Sequence, residues 1–101
     1  MTTFIAATTL SSDTIDSPRR YEELEKEVMD KIKRDCRQIK WKANFALMGP
    51  YDYIDIFEAP DVDEAVKVAA ILRYGAHARV EVWPAKSWQR FKELMHELEH
   101  A

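Results

Sequence analysis

The stretch Leu47-Met48-Gly49-Pro50-Tyr51-Asp52-Tyr53-Ile54-Asp55-Ile56-Phe57-Glu58-Ala59-Pro60-Asp61 constrains the fold most, because it orders four elements within fifteen residues. Residues 39–48 alternate with period two, setting Ile39, Trp41, Ala43, Phe45 and Leu47 against Lys40, Lys42 and Asn44, the pattern of a strand. Gly49-Pro50 turns the chain, and Tyr51 to Glu58 alternates again, with Ile54 and Ile56 opposed to Tyr53, Asp55 and Phe57. Asp61 then caps a helix, with Glu64 three positions on in the manner of a capping box. An antiparallel hairpin feeding directly into a helix is the consequence.

The flanks extend this unit on both sides. Thr3 to Leu10 is uncharged and β-rich, which suits a central strand. Ser11 to Asp16 reads as a loop, and Ser17-Pro18 as an N-cap followed by proline at the first helical position. Tyr21, Leu24, Val28, Ile32 and Cys36 then recur at helical spacing. Val62, Ala65, Val66, Ala69, Ala70 and Leu72 form the apolar stripe of the second helix, and Gly75 is expected to close it in the left-handed conformation. Ala76 to Pro84 sets His77, Arg79, Glu81 and Trp83 against Ala78, Val80 and Val82 as a fourth strand. Ser87 caps a last helix bearing Trp88, Phe91, Leu94, Met95 and Leu98, a stripe better suited to core packing than to a partner contact.

The order βαββαβ plus a terminal helix predicts one domain over residues 1–101, an α+β ferredoxin-like plait with two helices on one face of a sheet whose first and third strands are central. Lys40 and Lys42 then lie on an edge strand, where they oppose aberrant pairing. The other face would carry some of Tyr53, Phe57 and Trp83, and a second copy covering it would make a homodimeric α+β barrel. The expected interface residues are Tyr53, Phe57, Trp83, Trp88 and Phe91. Asp52, Asp55, His77, Arg79 and Glu81 are the ligand-binding candidates: the last four share a side-chain parity and would lie within the barrel or at its mouth, although such Asp and Arg residues on adjacent strands more often form structural ion pairs, especially across a dimer interface.

The turn Gly49-Pro50-Tyr51-Asp52, the apolar strand behind it and its Glu58-Ala59-Pro60-Asp61 ending resemble the GYD-domain family. The resemblance spans most of the chain, from the first strand through Ser17-Pro18 and from Phe45 through the fourth strand. It implies the dimeric α+β barrel class and supplies no catalytic residues. Pro50 stands where the family more often has a polar residue, Asp55 is unusual in the third strand, and the last helix is longer and more aromatic than is typical.

Other functions are less well supported. Among 101 residues, 15 Lys and Arg against 18 Asp and Glu leave a net charge of −3, so no global field favours phosphate backbones. The basic run Lys31, Lys33, Arg34, Arg37, Lys40 and Lys42 encloses Trp41, but the third strand lacks the basic-glycine-aromatic pattern of RNA-recognition modules. Nucleic acid is not an expected partner. His96-Glu97-Leu98-Glu99-His100 matches H-E-x-x-H in letters, yet it lies at a helix end with no third ligand following, so no metal is expected. With Gly49 and Gly75 as the only glycines, a phosphate-cradling loop is excluded. Cys36, the single cysteine, reads as a reduced, helix-packed thiol. No apolar run approaches the ~20 residues of a membrane span, and Met1-Thr2-Thr3-Phe4 lacks the basic start of a signal peptide, so a cytoplasmic location and no membrane partner are expected.

Two functions follow as expectations. One is a homo-oligomeric interaction module or accessory subunit of a larger complex, without a cofactor. The other is a small-molecule binder or enzyme using a polar pocket between the two sheets of the dimer, with His77 and Asp55 as acid-base groups and Arg79 as an anion anchor; whether the chain is an enzyme stays open.

Overall fold

A computed structural model describes residues 1–11 and 18–99. The elements run β1 (Thr2–Thr9), α1 (Pro18–Asp35), β2 (Lys40–Ala46), β3 (Tyr53–Ala59), α2 (Val62–Ala76), β4 (Arg79–Ala85) and α3 (Trp88–Glu99). The strands form one antiparallel sheet in the order β2-β3-β1-β4, the ferredoxin-like plait with β1 and β3 central and β2 and β4 at the edges. The expected Ser17 cap and the loop through Asp16 lie outside the described residues.

Local chemistry sets the element ends. The Asp61 carboxylate accepts from the Glu64 amide at 2.9 Å and opens α2. Ser87 Oγ accepts from the Arg90 amide at 3.1 Å and opens α3. Gly49, at φ 134°, occupies a backbone region that L side chains rarely adopt, and the Asp52 carbonyl accepts from the Leu47 amide at 2.8 Å to close the β2–β3 turn.

Gly75 does not cap α2. The helix continues past it, and His77 takes the left-handed conformation at φ 50° while donating its amide to the Arg73 carbonyl. Histidine is one of the few non-glycine residues enriched there. Gly75 answers a packing need instead: a Cβ at that position would meet Val28 Cγ2 of α1 at 3.0 Å. The buried stripe of α2 also differs from expectation, comprising Ala65, Val68, Ala69 and Leu72 while Val62 and Val66 face solvent.

The core lies between the two helices and one sheet face. Phe4, Ala6, Phe57, Ala59 and Val80 of the sheet meet Val28 and Ile32 of α1 and Ala65, Val68 and Leu72 of α2. Phe57 is fully buried and stacks on Phe4 at 5.6 Å and on Trp41 at 5.4 Å between ring centroids. Cys36, just beyond α1, is buried in the same cluster, and burial pushes its thiol pKa up.

Strand parity departs from the sequence reading at two places. Phe57 and Tyr53, expected on the uncovered face, lie under the helices, where Tyr53 meets Tyr21 of α1 edge-on at 5.4 Å. In β2 a bulge between Trp41 and Ala43 breaks the alternation. Trp41 therefore joins the core, while Ala43 and Phe45 pair with Ile56 and Ile54 on the opposite face. The last helix also departs from expectation: α3 has no buried residue and packs extensively on no other element, leaving Trp88, Phe91, Met95 and Leu98 exposed. No helix among the described residues is long and apolar enough to cross a membrane.

Candidate functional site

The register defines what the helices leave uncovered. Ala43, Ile56, Ile5 and Trp83 stand side by side across β2, β3, β1 and β4, and Phe45 and Ile54 continue the apolar surface in the next row, where Ala7 is buried. Charged groups border it. Lys42 pairs with Glu58 at 3.3 Å at one end, and Arg79 and Glu81 stand on β4 at the other. With strands about 4.8 Å apart and same-face residues about 6.8 Å apart along each strand, these two rows cover on the order of 200 Å², within the few hundred Å² of contiguous apolar patch that monomers expose. Tyr51 reaches over β1 from the loop before β3, donating its hydroxyl to Glu81 at 2.9 Å and meeting Trp83 edge-on at 5.8 Å. The hydrogen bond to Glu81 raises its phenol pKa.

The five ligand candidates do not converge. Arg79 and Glu81 lie on this open face. Asp55 lies on the other side of the sheet, because its partner across the ladder is Ala6 of the buried face. His77 is an exposed helix cap, displaced from the strand parity assigned to it. Asp52 ties strand ends together: its carboxylate accepts from the Leu10 amide at 2.8 Å and its own amide donates to the Thr8 carbonyl at 2.8 Å. Asp52→Ala leaves the partly buried Leu10 amide without that acceptor and is expected to cost about 1.5–3 kcal/mol in urea unfolding, with Asp52→Asn costing less because an amide oxygen still accepts.

Asp55 instead lines a cleft of about 630 Å³ between α1 and the sheet, together with Thr8, Tyr21, Glu25, Trp41, Asn44 and Tyr53. Sequence reasoning missed this cleft. Its carboxylate accepts from Asn44 Nδ2 at 2.9 Å, yet burial pushes its pKa up to about 6, with Glu25 adding to the rise. A folded-state value above the ordinary 3.8 means that folding disfavours the ionised form. The stabilisation is therefore present below about pH 4 and lost as pH rises through about 6. Asp55→Asn is expected to melt above the wild type at pH 8, the difference closing by pH 4; a difference independent of pH would show that ionisation of Asp55 is not its source.

At the C-terminal end, His96 Nδ1 lies 3.8 Å from Glu99 Oε2 on the exposed side of α3, and His100 lies outside the described residues. Among the described residues, no three His, Cys, Asp or Glu side chains gather as a metal site.

The model of the GYD domain matches residues 4–95. The chain belongs to the GYD domain family. This GYD domain is 32% identical over 81 residues to the glutamine synthetase and cystathionine beta-lyase binding protein of Thermus thermophilus, covering 80% of this chain and 82% of that one. Its fold is similar to the leucine response regulatory protein LrpA of Mycobacterium tuberculosis, with TM-score 0.58 and 9% identity over 86% of this chain and 52% of that one. The GYD domain thus spans about half the length of that regulator. It is also similar to At3g17210 of Arabidopsis thaliana, with TM-score 0.55 and 13% identity, covering 86% and 95% of the two chains. At such identities the two structures speak for the fold alone.

Proposed function

We propose that this GYD domain is a protein-binding module that pairs with a second copy through the open sheet face and holds α3 outward as the contact for a larger protein. The open face carries the reading. An apolar centre of Ile5, Ile54, Ile56 and Trp83 inside a border of Glu58, Lys42, Arg79 and Glu81 has the anatomy of an interface, and the border contains both signs of charge, as a self-complementary surface requires. Stacked aromatic rings at α3, Trp88 and Phe91 with centroids 5.0 Å apart, offer a second anchor of the type that dominates protein recognition. The similarity to a protein named for binding two enzymes supports the same class of role.

Sedimentation equilibrium tests the pairing. The expected mass is twice the 11.8 kDa of the chain at micromolar concentration. A single 11.8 kDa species up to a few hundred micromolar would remove it. For the outer contact, immobilised glutamine synthetase is the first partner to try, with Trp88→Ala and Phe91→Ala expected to abolish capture without altering the sedimenting mass.

A further inference from the structure

The cleft between α1 and the sheet lies on the opposite side from the proposed pairing face, and it has the composition of a ligand site. Its aromatic wall is Tyr21, Tyr53 and Trp41. Its polar groups are in excess of their partners. Thr8 is more than nine-tenths buried, and its hydroxyl has no hydrogen-bond partner. The indole Nε1 of Trp41 is likewise buried and unpartnered. Asp55, whose carboxylate accepts from Asn44, forms no ion pair with any described residue, and Glu25 stands exposed at the rim of the same cleft. Buried polar groups are ordinarily satisfied, and a desolvated carboxylate ordinarily has a cation, so this combination calls for an occupant.

The register says where each group would act. Thr8 faces Tyr53 across the β1–β3 ladder, and Asp55 is two residues further along the same face, so Thr8 and Asp55 are diagonal neighbours. Both can accept hydrogen bonds, as an ammonium requires. Trp41 is set further along the sheet, opposite Phe57, where its ring can meet an aromatic body and its indole N–H can donate to an oxygen.

We propose that this cleft binds a small primary amine carrying one aromatic ring, its ammonium between Asp55 and Thr8 and its ring against Tyr21, Tyr53 and Trp41. The volume, about 630 Å³, falls within the range of small-molecule sites. A cation near aromatic faces gains further from the ring quadrupoles. The charged groups lining the cleft beside Asp55 itself come from α1, namely Glu25 and Asp30 as acids and Lys26 and Lys33 as bases; β1 and β2 contribute the neutral Thr8 and Asn44, β3 the phenol of Tyr53, and α2 the apolar Leu72. Burial raises the phenol pKa of Tyr53. Amine binding should weaken as Asp55 protonates, about tenfold between pH 7.5 and pH 5 given its value of about 6.

The probe is tyramine titrated into the full chain and followed by amide and indole NMR shifts, with 4-hydroxyphenylacetate and 4-hydroxyphenylethanol as the acid and neutral comparators. The expected result is saturable shifts at Thr8, Asp55 and the Trp41 indole with tyramine alone, weakened at least tenfold by Asp55→Asn and also by Thr8→Val. Asp55→Asn retains an acceptor for Asn44, so its fold is checked by the unperturbed remainder of the spectrum. Absence of saturation at millimolar tyramine, equal binding of either comparator, or unchanged affinity in Asp55→Asn would each overturn the proposal. Shifts confined to Trp83 or the open face would do the same. The sedimenting mass is independent of all these outcomes.

Discussion

Phe57→Ala is expected to lower stability more than any other single truncation in this chain. Phe57 is fully buried in the central strand β3, with Phe4 stacked at 5.6 Å on one side and Trp41 at 5.4 Å on the other. Its removal strips a common partner from both rings and leaves a cavity bounded by two side chains too large and too constrained by the sheet to collapse into it. Such truncations cost about 3–5 kcal/mol, a large share of the 5–15 kcal/mol that a typical domain possesses. For a chain of this size the melting temperature should fall by at least roughly 12 °C at fixed protein concentration. Phe57→Leu, which keeps more of the volume, should lose clearly less and remain folded for comparison. Urea unfolding monitored by far-UV circular dichroism gives both values. A loss below about 1 kcal/mol for alanine would mean that Phe4 and Trp41 close the gap, contrary to the packing described.

The same residue shows what the sequence could and could not reveal. Period two marked residues 53–58 as a strand, but β3 is central and apolar on both faces: Tyr53 and Phe57 alternate with Ile54 and Ile56, and periodicity does not say which set meets the helices. Choosing the wrong set moved Asp55 to the side of Arg79 and Glu81 and concealed the cleft under α1. In β2 the obstacle was the bulge between Trp41 and Ala43, whose extra residue sends Trp41 and Phe45 to opposite faces despite their equal parity. His77 shared the parity of Arg79 and Glu81 but belongs to the helix end, since α2 runs on past Gly75 to Ala76 and His77 caps it in the left-handed conformation. By contrast, the sheet order, the Asp61 and Ser87 caps and the edge position of Lys40 and Lys42 were legible, since they depend on connectivity and local chemistry alone. The orientation of α3 was not, because an amphipathic helix reads alike whether its stripe meets its own sheet or another protein.

Ile5→Lys is expected to dissociate the proposed pair while leaving the monomer folded. Ile5 stands in central β1, between Ile56 and Trp83 in the middle row of the open face. In an isolated chain a lysine there can extend its ammonium into water along the apolar row, at a modest loss of strand propensity. In a twofold pair the substitution enters the interface twice, placing two like charges in its apolar centre without a counterion. A weakening of at least 100-fold, corresponding to about 2.7 kcal/mol, should follow. Sedimentation should then show 11.8 kDa at concentrations where the wild type sediments at double that mass. Arg79→Ala, at the border, should change the association constant by less than tenfold and make it less sensitive to salt, because exposed charges contribute little and are screened. Persistence of the dimer in Ile5→Lys would move the pairing surface to α3, where Trp88→Ala should then lower the mass instead. These alternatives separate cleanly because the two surfaces share no residue: Ile5 is held by the sheet ladder, whereas Trp88 belongs to a helix with no buried contact of its own.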